Sequence, residues 1–391
     1  MDERHWMETT LRFGGKAAYG RLSLEAKGIG LKTTGRDPYG SGSAPAGAPP
    51  GAERVGLDPE WDVDTLYLQW ENPEPYPWKV SLGRQPLAIG TQFLIGEGVY
   101  DGYHHDFAQA VWSTPRNWFD AARLQFDHDR THVEGVLYRV HPTEDAAGFQ
   151  TGYVGGFDVS HQFESIQGTY GAGVFYRDSE SNLDNDMWVM AARFKQSLPK
   201  LREFYVAGEL VAERGTGRNP YYVTVPDQDL HEYAGHAELG YEATQVRFKP
   251  AVEIGGIYYS SDFTPLATGF SDWDTWYLGN QIVWIVFGSN TRILRAKASF
   301  WPHEKLRLLA LYNHTDLVSG PSGTLSDEWT LIADWYPTER IWVSFVIGYS
   351  KPGDALRSSR LSNFFSSLNS DAVPVGSHDS VDLILGFGLS Y

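Results

Sequence analysis

Pairs of basic residues two positions apart are the clearest sign of chemistry in this sequence. The pairs are Arg193 with Lys195, Arg247 with Lys249, and Arg295 with Lys297. Side chains two positions apart on a β-strand point to the same face, so each pair would present two positive charges to one side. Ammonium groups attract carboxylates, and a guanidinium binds them through two parallel hydrogen bonds. The spacing therefore predicts a lining that binds anions, to which Arg123 also belongs.

Acidic residues occur on the same faces as these bases. Glu209, Glu238 and Glu253 alternate with apolar neighbours in the same way. Either the charges pair with one another across a water-filled interior, or they set a preference for the solutes that pass, as charged rings do in channels. Four aromatic residues are also predicted to point inward, where they would fill space or contact sugar rings: Tyr67, Tyr205, Tyr259 and Trp342.

These residues belong to segments of about ten residues in which apolar and polar side chains alternate. In the last segment, Leu383, Leu385 and Phe387 share one face, and small or polar residues share the other. An antiparallel barrel with both termini on one side of a membrane needs an even number of strands, so the pattern leaves sixteen and eighteen strands both open. Seventeen segments can be counted, near 6–13, 17–29, 61–70, 78–87, 117–126, 131–140, 151–161, 167–177, 186–196, 203–213, 231–242, 246–260, 290–301, 305–315, 326–337, 340–350 and 379–391.

The connections between these segments alternate in length. Short turns, such as 302–305 and 337–340, alternate along the chain with long loops, such as 30–60 and 351–378. Outer-membrane barrels have short periplasmic turns and long extracellular loops. Tryptophans near the segment ends would form the aromatic girdles of such a barrel. The sequence thus predicts one domain, residues 1–391, folded as a closed antiparallel transmembrane β-barrel in the cell outer membrane.

Composition narrows the class further. The chain of 391 residues contains no cysteine, which excludes disulfide scaffolds and thiolate metal sites. Its longest apolar run, 282–287, is far shorter than the ~18 residues that a membrane helix needs. A net charge of −17 argues against a nucleic-acid partner. The start, Met1–His5, is too polar for an export signal, so composition alone leaves a cytosolic protein and a mature exported protein both open.

Two loop clusters offer groups for metal binding or acid–base chemistry. Residues 178–186 are rich in carboxylates that could hold Ca²⁺, although their spacing is not that of an EF-hand loop. Within 101–106, two histidines lie beside aspartates, a combination that general-base catalysis uses. No serine lies in a strained Gly-x-Ser-x-Gly turn. We therefore predict a protein that is not an enzyme and has no cofactor, with loop-bound Ca²⁺ as the alternative.

Five short stretches occur in an order that is typical of one family. They are Gly83–Gly90 (GRQPLAIG), Phe119–Leu124 (FDAARL), Ala234–Tyr241 (AGHAELGY), Lys249–Asp262 and Lys351–Ala355 (KPGDA). Together they resemble the alginate-export-type outer-membrane porins over residues 80–391. The resemblance implies a monomeric, eighteen-stranded barrel with a narrowed, basic lumen that passes an anionic polymer. It also carries Arg84 and Arg123 over as lumen or rim arginines.

We interpret the protein as an outer-membrane channel that passes an anionic, uronate-rich polysaccharide or a related anionic solute by passive diffusion. A general small-solute porin and a barrel that sheathes a partner protein are the alternatives. The expected partners are outer-membrane lipid and lipopolysaccharide, the barrel-insertion machinery through the C-terminal strand, and a periplasmic export or secretion protein. The protein itself is expected to be a monomer. The predicted substrate-binding lumen residues are Arg84, Arg123, Arg193, Lys195, Arg247, Lys249, Arg295, Lys297, Glu209, Glu238 and Glu253.

Overall fold

The described strands all belong to one antiparallel sheet. The computed structural model describes residues 6–35, 60–72, 77–95, 119–140, 152–179, 186–217, 228–263, 266, 290–320, 323–357 and 379–389. No helix in these ranges has the length and hydropathy needed to cross a membrane. The strands are β1 (Trp6–Tyr19), β2 (Leu22–Gly35), β3 (Glu60–Asn72), β4 (Trp78–Gln85), β5 (Phe119–His128), β6 (Thr131–Val140), β7 (Gly152–Phe163), β8 (Gly168–Ser179), β9 (Met187–Leu198), β10 (Leu201–Gly217), β11 (Gln228–Glu242), β12 (Ala251–Tyr259), β13 (Thr291–His303), β14 (Leu306–Leu317), β15 (Thr324–Thr338), β16 (Ile341–Pro352) and β17 (Ser380–Leu389), and the one-turn helix α1 (Asp354–Arg357) follows β16.

The prediction of an all-β antiparallel sheet is confirmed. From β1 to β17, each of the seventeen described strands pairs with the one that follows it in the chain, and every predicted segment overlaps one of them. Within the described residues, β1 pairs only with β2 and β17 only with β16, so the sheet is open there rather than closed as predicted. The described residues form seventeen strands, between the eighteen and the sixteen that we considered, and because this number is odd, β1 and β17 run in the same direction.

The two faces of the sheet have opposite characters. Leu294 on the outer face is 54% exposed, whereas its neighbour Arg295 on the inner face is 5% exposed. The same inversion occurs along β10, where Leu210 is exposed and Glu209 is buried. Proteins in water normally keep charged residues exposed and large apolar residues buried. The sheet is therefore suited to lipid on its outer face, where an arginine at mid-membrane would cost about 2–4 kcal/mol.

Strand direction places the short turns at one end of the sheet and the long connections at the other. For example, β5 runs from the long connection 86–118 to the two-residue turn 129–130, and β6 returns. Asp129 and Lys200 have left-handed backbone conformations, with φ of 52° and 71°, as tight reversals between strands often require. We call these two ends the turn end and the loop end.

The turn between β11 and β12 corrects one predicted strand. We predicted a strand over 246–260, but β12 begins at Ala251. Phe248 and Lys249 have φ of 74° and 41°, and the Lys249 backbone N–H donates to the Val246 carbonyl at 3.0 Å. Because this turn interrupts the alternation, Arg247 and Lys249 lie exposed at the turn end and not on the inner face.

Residues 86–95, which follow β4, fold into the interior and are called the inserted segment. Ile89 pairs with Ile95, and Gly90 turns the chain with a φ of 63°. The Phe93 ring stacks on Tyr259 of β12, with 5.5 Å between the ring centroids. In a flat sheet, β4 and β12 would lie about 38 Å apart, because eight inter-strand steps of ~4.8 Å separate them. The sheet therefore curves around the inserted segment.

The main apolar cluster lies inside this curve, near the loop end. It joins the inserted segment to inward side chains from the loop-end halves of the surrounding strands. Full burial of each such side chain stabilises the fold by about 1.5–3 kcal/mol relative to exposure. The loop-end half of the interior is thus filled, and polar residues line the turn-end half. Members of the cluster are Leu87, Ile89, Phe93, Ile95, Tyr138, Phe175, Met187, Val189, Leu230 and Leu325.

Candidate functional site: a charged interior cavity

A cavity of about 840 Å³ lies between the inserted segment and the turn end. Its walls are inward side chains of β5 to β14, and residues 88–92 of the inserted segment close one side. Arginines and lysines equal aspartates and glutamates in number along this lining. The bases are Arg123, Arg193, Lys195, Lys297 and Arg307, and the acids are Glu134, Asp158, Glu238, Glu242 and Glu253.

Arg193 of β9 binds Asp158 of β7 through two hydrogen bonds, from Nη1 to Oδ2 and from Nη2 to Oδ1. The two side chains are 10% and 3% exposed. Gly90 of the inserted segment lies against the same guanidinium, and a Cβ there would come within 2.8 Å of Arg193 Cζ. Arg193 therefore both neutralises Asp158 and supports the tip of the inserted segment.

A second ion-paired group lies on β5 and β6. Arg123 donates from Nε to Glu134, and its Nη1 lies 3.4 Å from the Pro86 carbonyl oxygen. His132 places Nε2 3.3 Å from Glu134 and Nδ1 2.6 Å from Asp127. This group links the start of the inserted segment to the turn end.

A third group surrounds Tyr205 of β10. The Lys195 Nζ lies 3.9 Å from the centre of the Tyr205 ring and donates to Glu242 at 3.3 Å. The Tyr205 hydroxyl donates to Glu253 at 3.3 Å, and Lys297 Nζ lies 4.0 Å from the same carboxylate. Each lysine of this group therefore lies beside a carboxylate, and an aromatic ring lies among them.

The tip of the inserted segment is held by Glu209 and His236. The Thr91 hydroxyl donates to Glu209, whose Oε2 lies 3.9 Å from His236 Nε2. The edge of the Phe93 ring packs against the His236 imidazole, with 5.0 Å between the ring centroids. The side chains of Glu209 and His236, which contact this tip, are almost fully buried.

The structure brings six of the predicted lumen residues together in the cavity wall and places two others nearby. Arg295 and Glu209 are buried on the inner face outside the cavity lining. Arg247 and Lys249 lie in the exposed turn described above. The six residues in the wall are Arg123, Arg193, Lys195, Lys297, Glu238 and Glu253.

Arg84 lies on the outer face near the loop end and not in the lumen. It pairs with Leu66 of β3, whose side chain is exposed on the outer face. Its Nη1 donates to the Val63 carbonyl at 2.8 Å. Although Gly83 has a φ of 117°, the alternation continues through it, because Ser81 and Gln85 are both buried on the inner face. The lumen position that the family resemblance implied for Arg84 is therefore wrong.

Sequence reasoning missed the residues through which the inserted segment shapes the cavity. Thr91, Phe93 and His236 make contacts between chain positions more than 100 residues apart. The only local signal is Pro86, which ends β4, because proline cannot donate a ladder hydrogen bond. His132 was also missed, because its position at the start of β6 resembles an ordinary turn residue.

Both predicted loop clusters fall at least partly outside the described residues. The His–Asp cluster 101–106 lies entirely outside them, and so do residues 180–185 of the acidic stretch. Among the residues that the structure does describe, no three His, Asp or Glu side chains are placed to hold a metal ion.

Comparisons with solved structures give the same architecture. OccAB1 from Acinetobacter baumannii matches with a TM-score of 0.58 and 11% identity, over 98% of this chain and 91% of that chain. The outer membrane protein OpdK from Pseudomonas aeruginosa matches with a TM-score of 0.56 and 10% identity, over 90% and 88%. A second OpdK structure, determined with vanillate, matches with a TM-score of 0.55 and 10% identity over the same shares. No protein-family model and no curated protein matches the chain. At these identities the likeness establishes the fold, which is that of outer-membrane proteins.

Proposed function

We propose that the protein is a passive outer-membrane channel for small polar solutes. The observation that carries this proposal is the inversion of the sheet, with apolar side chains exposed outside and ten charged side chains around an interior cavity. A water-filled interior explains why so many ionic groups lie on the inner face, because burial of unpaired charge away from water is costly. The fold shared with outer-membrane proteins supports the same location.

The narrower form of the proposal concerns solutes that bear carboxylates, sugar acids among them. Arg123, Arg193, Lys195 and Lys297 offer such groups positive partners around one cavity. Each base, however, already faces a carboxylate of the protein, for example Arg193 with Asp158. We therefore expect a weak overall anion preference and selectivity through local contacts.

A small solute fits this interior better than the long uronate-rich polymer that the sequence suggested. The inserted segment crosses from β4 to β10 and β12, and its apolar side fills the loop-end half of the interior. A polymer in transit needs a continuous path, whereas a monomer or short oligomer can use a cavity of about 840 Å³. The shape of the interior therefore argues against alginate export and in favour of a general small-solute porin.

The partners follow from the same proposal. The exposed apolar outer face would contact outer-membrane lipid and, at the loop end, lipopolysaccharide. We retain the C-terminal strand β17 as the signal for the barrel-insertion machinery, since Leu383, Leu385 and Phe387 are strongly exposed along its outer face. A monomer, with no dedicated export partner, is sufficient for passive diffusion of small solutes.

Ion current through the purified protein in a planar bilayer tests the channel proposal. We expect steady conductance in KCl and a zero-current potential close to that of free diffusion. Lys195→Gln with Lys297→Gln should move this potential toward cation preference, because the wall would then hold three bases against five acids. Arg292→Gln, which alters an exposed ion pair on the outer face, should leave the potential unchanged. No conductance in the wild-type protein would favour a sheath around a partner protein instead.

A further inference from the structure

Tyr205 presents an aromatic ring inside the charged cavity, in a geometry that is built into the wall. The residue lies opposite Gly240 on β11, and a Cβ at Gly240 would come within 2.1 Å of Tyr205 Cζ. Only glycine at this position allows the ring to lie against the sheet. The ring is therefore backed by main chain on one side and turned toward the cavity on the other.

The Lys195 ammonium covers the cavity side of this ring. The Lys195 Nζ lies 3.9 Å from the ring centre, which is a cation–π contact. Its side chain is 54% exposed, and its ion pair with Glu242 is also exposed. Exposed ion pairs contribute little, because water screens them and because fixing the side chains costs entropy. A ligand that offers a better contact to the ring can therefore move Lys195 aside.

Where the cavity wall surrounds the ring, carboxylate hydrogen-bond acceptors outnumber lysine donors. Glu253 accepts from the Tyr205 hydroxyl, and Glu238 and Glu242 complete the same part of the wall. Among the residues that line the cavity here, these three carboxylates outnumber the two lysines, Lys195 and Lys297. A ligand that fits must bring several hydroxyl donors together with a face of C–H groups for the ring.

Resting on the channel function proposed above, we infer that Tyr205, Lys195 and the surrounding glutamates form a subsite for one pyranose sugar ring. The C–H face of the sugar replaces the Lys195 ammonium on the Tyr205 ring, where the electron-rich face attracts polarised hydrogens. Sugar hydroxyls donate to Glu253 and Glu242, and the displaced Lys195 binds a sugar oxygen. On a uronate, that oxygen belongs to the carboxylate.

An aromatic acid meets these requirements less well. Its flat ring could stack on Tyr205 and its carboxylate could pair with Lys195, but it lacks a set of hydroxyl donors for the glutamates. A carboxylate that loses water without gaining a hydrogen-bond donor incurs the full free-energy penalty of desolvation. The cavity volume of about 840 Å³ holds a single sugar with bound water, within the usual range of small-molecule pockets, about 300–1,000 Å³.

Block of the ion current by four probes tests the subsite. The probes form two matched pairs, D-glucose with sorbitol and D-glucuronate with L-gulonate, in which the open-chain member is the ring sugar reduced at C1. For the wild-type protein we expect the ring sugars to block at lower concentration than their open-chain partners. Tyr205→Leu should weaken the block by both ring sugars about tenfold, whereas Tyr205→Phe should preserve most of it.

Two further variants control and refine this result. Tyr67→Leu is the matched control, because Tyr67 is also an inward tyrosine that donates to a glutamate, Glu25, but lies outside the cavity lining. Lys195→Gln distinguishes a uronate from a neutral sugar as the natural ligand. If this variant weakens the block by glucuronate more than the block by glucose, the subsite is one for a uronate. If it weakens both equally, the subsite is one for a neutral sugar.

The outcomes separate the subsite from the channel. Absence of wild-type conductance would overturn the channel, and with it the subsite. Normal conductance with equal block by ring and open-chain probes would overturn the subsite alone, and this comparison needs no variant. Unchanged sugar block in Tyr205→Leu, or an equal loss in Tyr67→Leu, would also overturn it.

Discussion

Removal of one partner from the Arg193–Asp158 pair should strongly destabilise the folded protein. Arg193→Gln leaves the Asp158 carboxylate, which is 3% exposed, without the two hydrogen bonds that now satisfy both of its oxygens. Breaking a buried pair in this way typically costs about 3–5 kcal/mol, because an uncompensated charge remains. At ~1.4 kcal/mol per factor of ten, the unfolding equilibrium should shift at least a hundredfold.

Urea unfolding of the protein refolded in lipid vesicles, followed by tryptophan fluorescence, measures this change. The double variant Arg193→Gln with Asp158→Asn removes both charges, so most of the lost stability should return. Arg292→Gln is the matched control: its guanidinium lies 3.1 Å from Asp316, but its side chain is 67% exposed. An exposed pair of this kind should cost less than about 1 kcal/mol.

Two results would refute this reasoning. If Arg193→Gln destabilises no more than Arg292→Gln, then Asp158 is solvated and the pair is not a buried one. If the costs of Arg193→Gln and Asp158→Asn simply add in the double variant, the two side chains do not interact.

Two other predictions concern the inserted segment and the outer face. Thr91→Val removes the hydroxyl that donates to the buried Glu209, a hydrogen bond of about 1.5–3 kcal/mol. The inserted segment should then leave its position more often, and single-channel recordings should show more frequent excursions to higher conductance. An unchanged recording would mean that this contact does not hold the segment. Arg84→Gln should leave the zero-current potential in a KCl gradient unchanged, because Arg84 lies on the outer face, and a clear shift would return it to the conducting path.

The strands were predictable because the pattern that specifies them is local. Alternation with a period of two needs only neighbouring residues, and it located all seventeen strands and the face of Arg193, Lys195 and Lys297. Membrane barrels make this pattern unusually strict, because a charge on the lipid face is costly at every strand. Along β4 the same alternation puts Arg84 on the outer face with Leu82, whereas the motif resemblance implied the lumen.

The remainder of the site depended on contacts that no local pattern contains. The positive φ values of Phe248 and Lys249 turn the chain where alternation suggested a strand. The inserted segment has no strand periodicity, and Thr91 finds its partner Glu209 on a strand six positions further along the sheet. The sequence predicted that inward charges could pair but not which ones would, because the partners depend on which inward residues the curvature brings together.

The inserted segment also implies an order of events in folding. Every strand pairs with its neighbours in sequence, so the sheet can grow one hairpin at a time through short-range contacts, which form quickly. The residues that contact Thr91 and Phe93, by contrast, lie on β10 to β12, which follow the segment in the chain by more than 100 residues. The segment can dock only after those strands exist and the sheet has begun to curl. Its docking is therefore a late step, and the buried bond between Thr91 and Glu209 marks chains in which that step is complete.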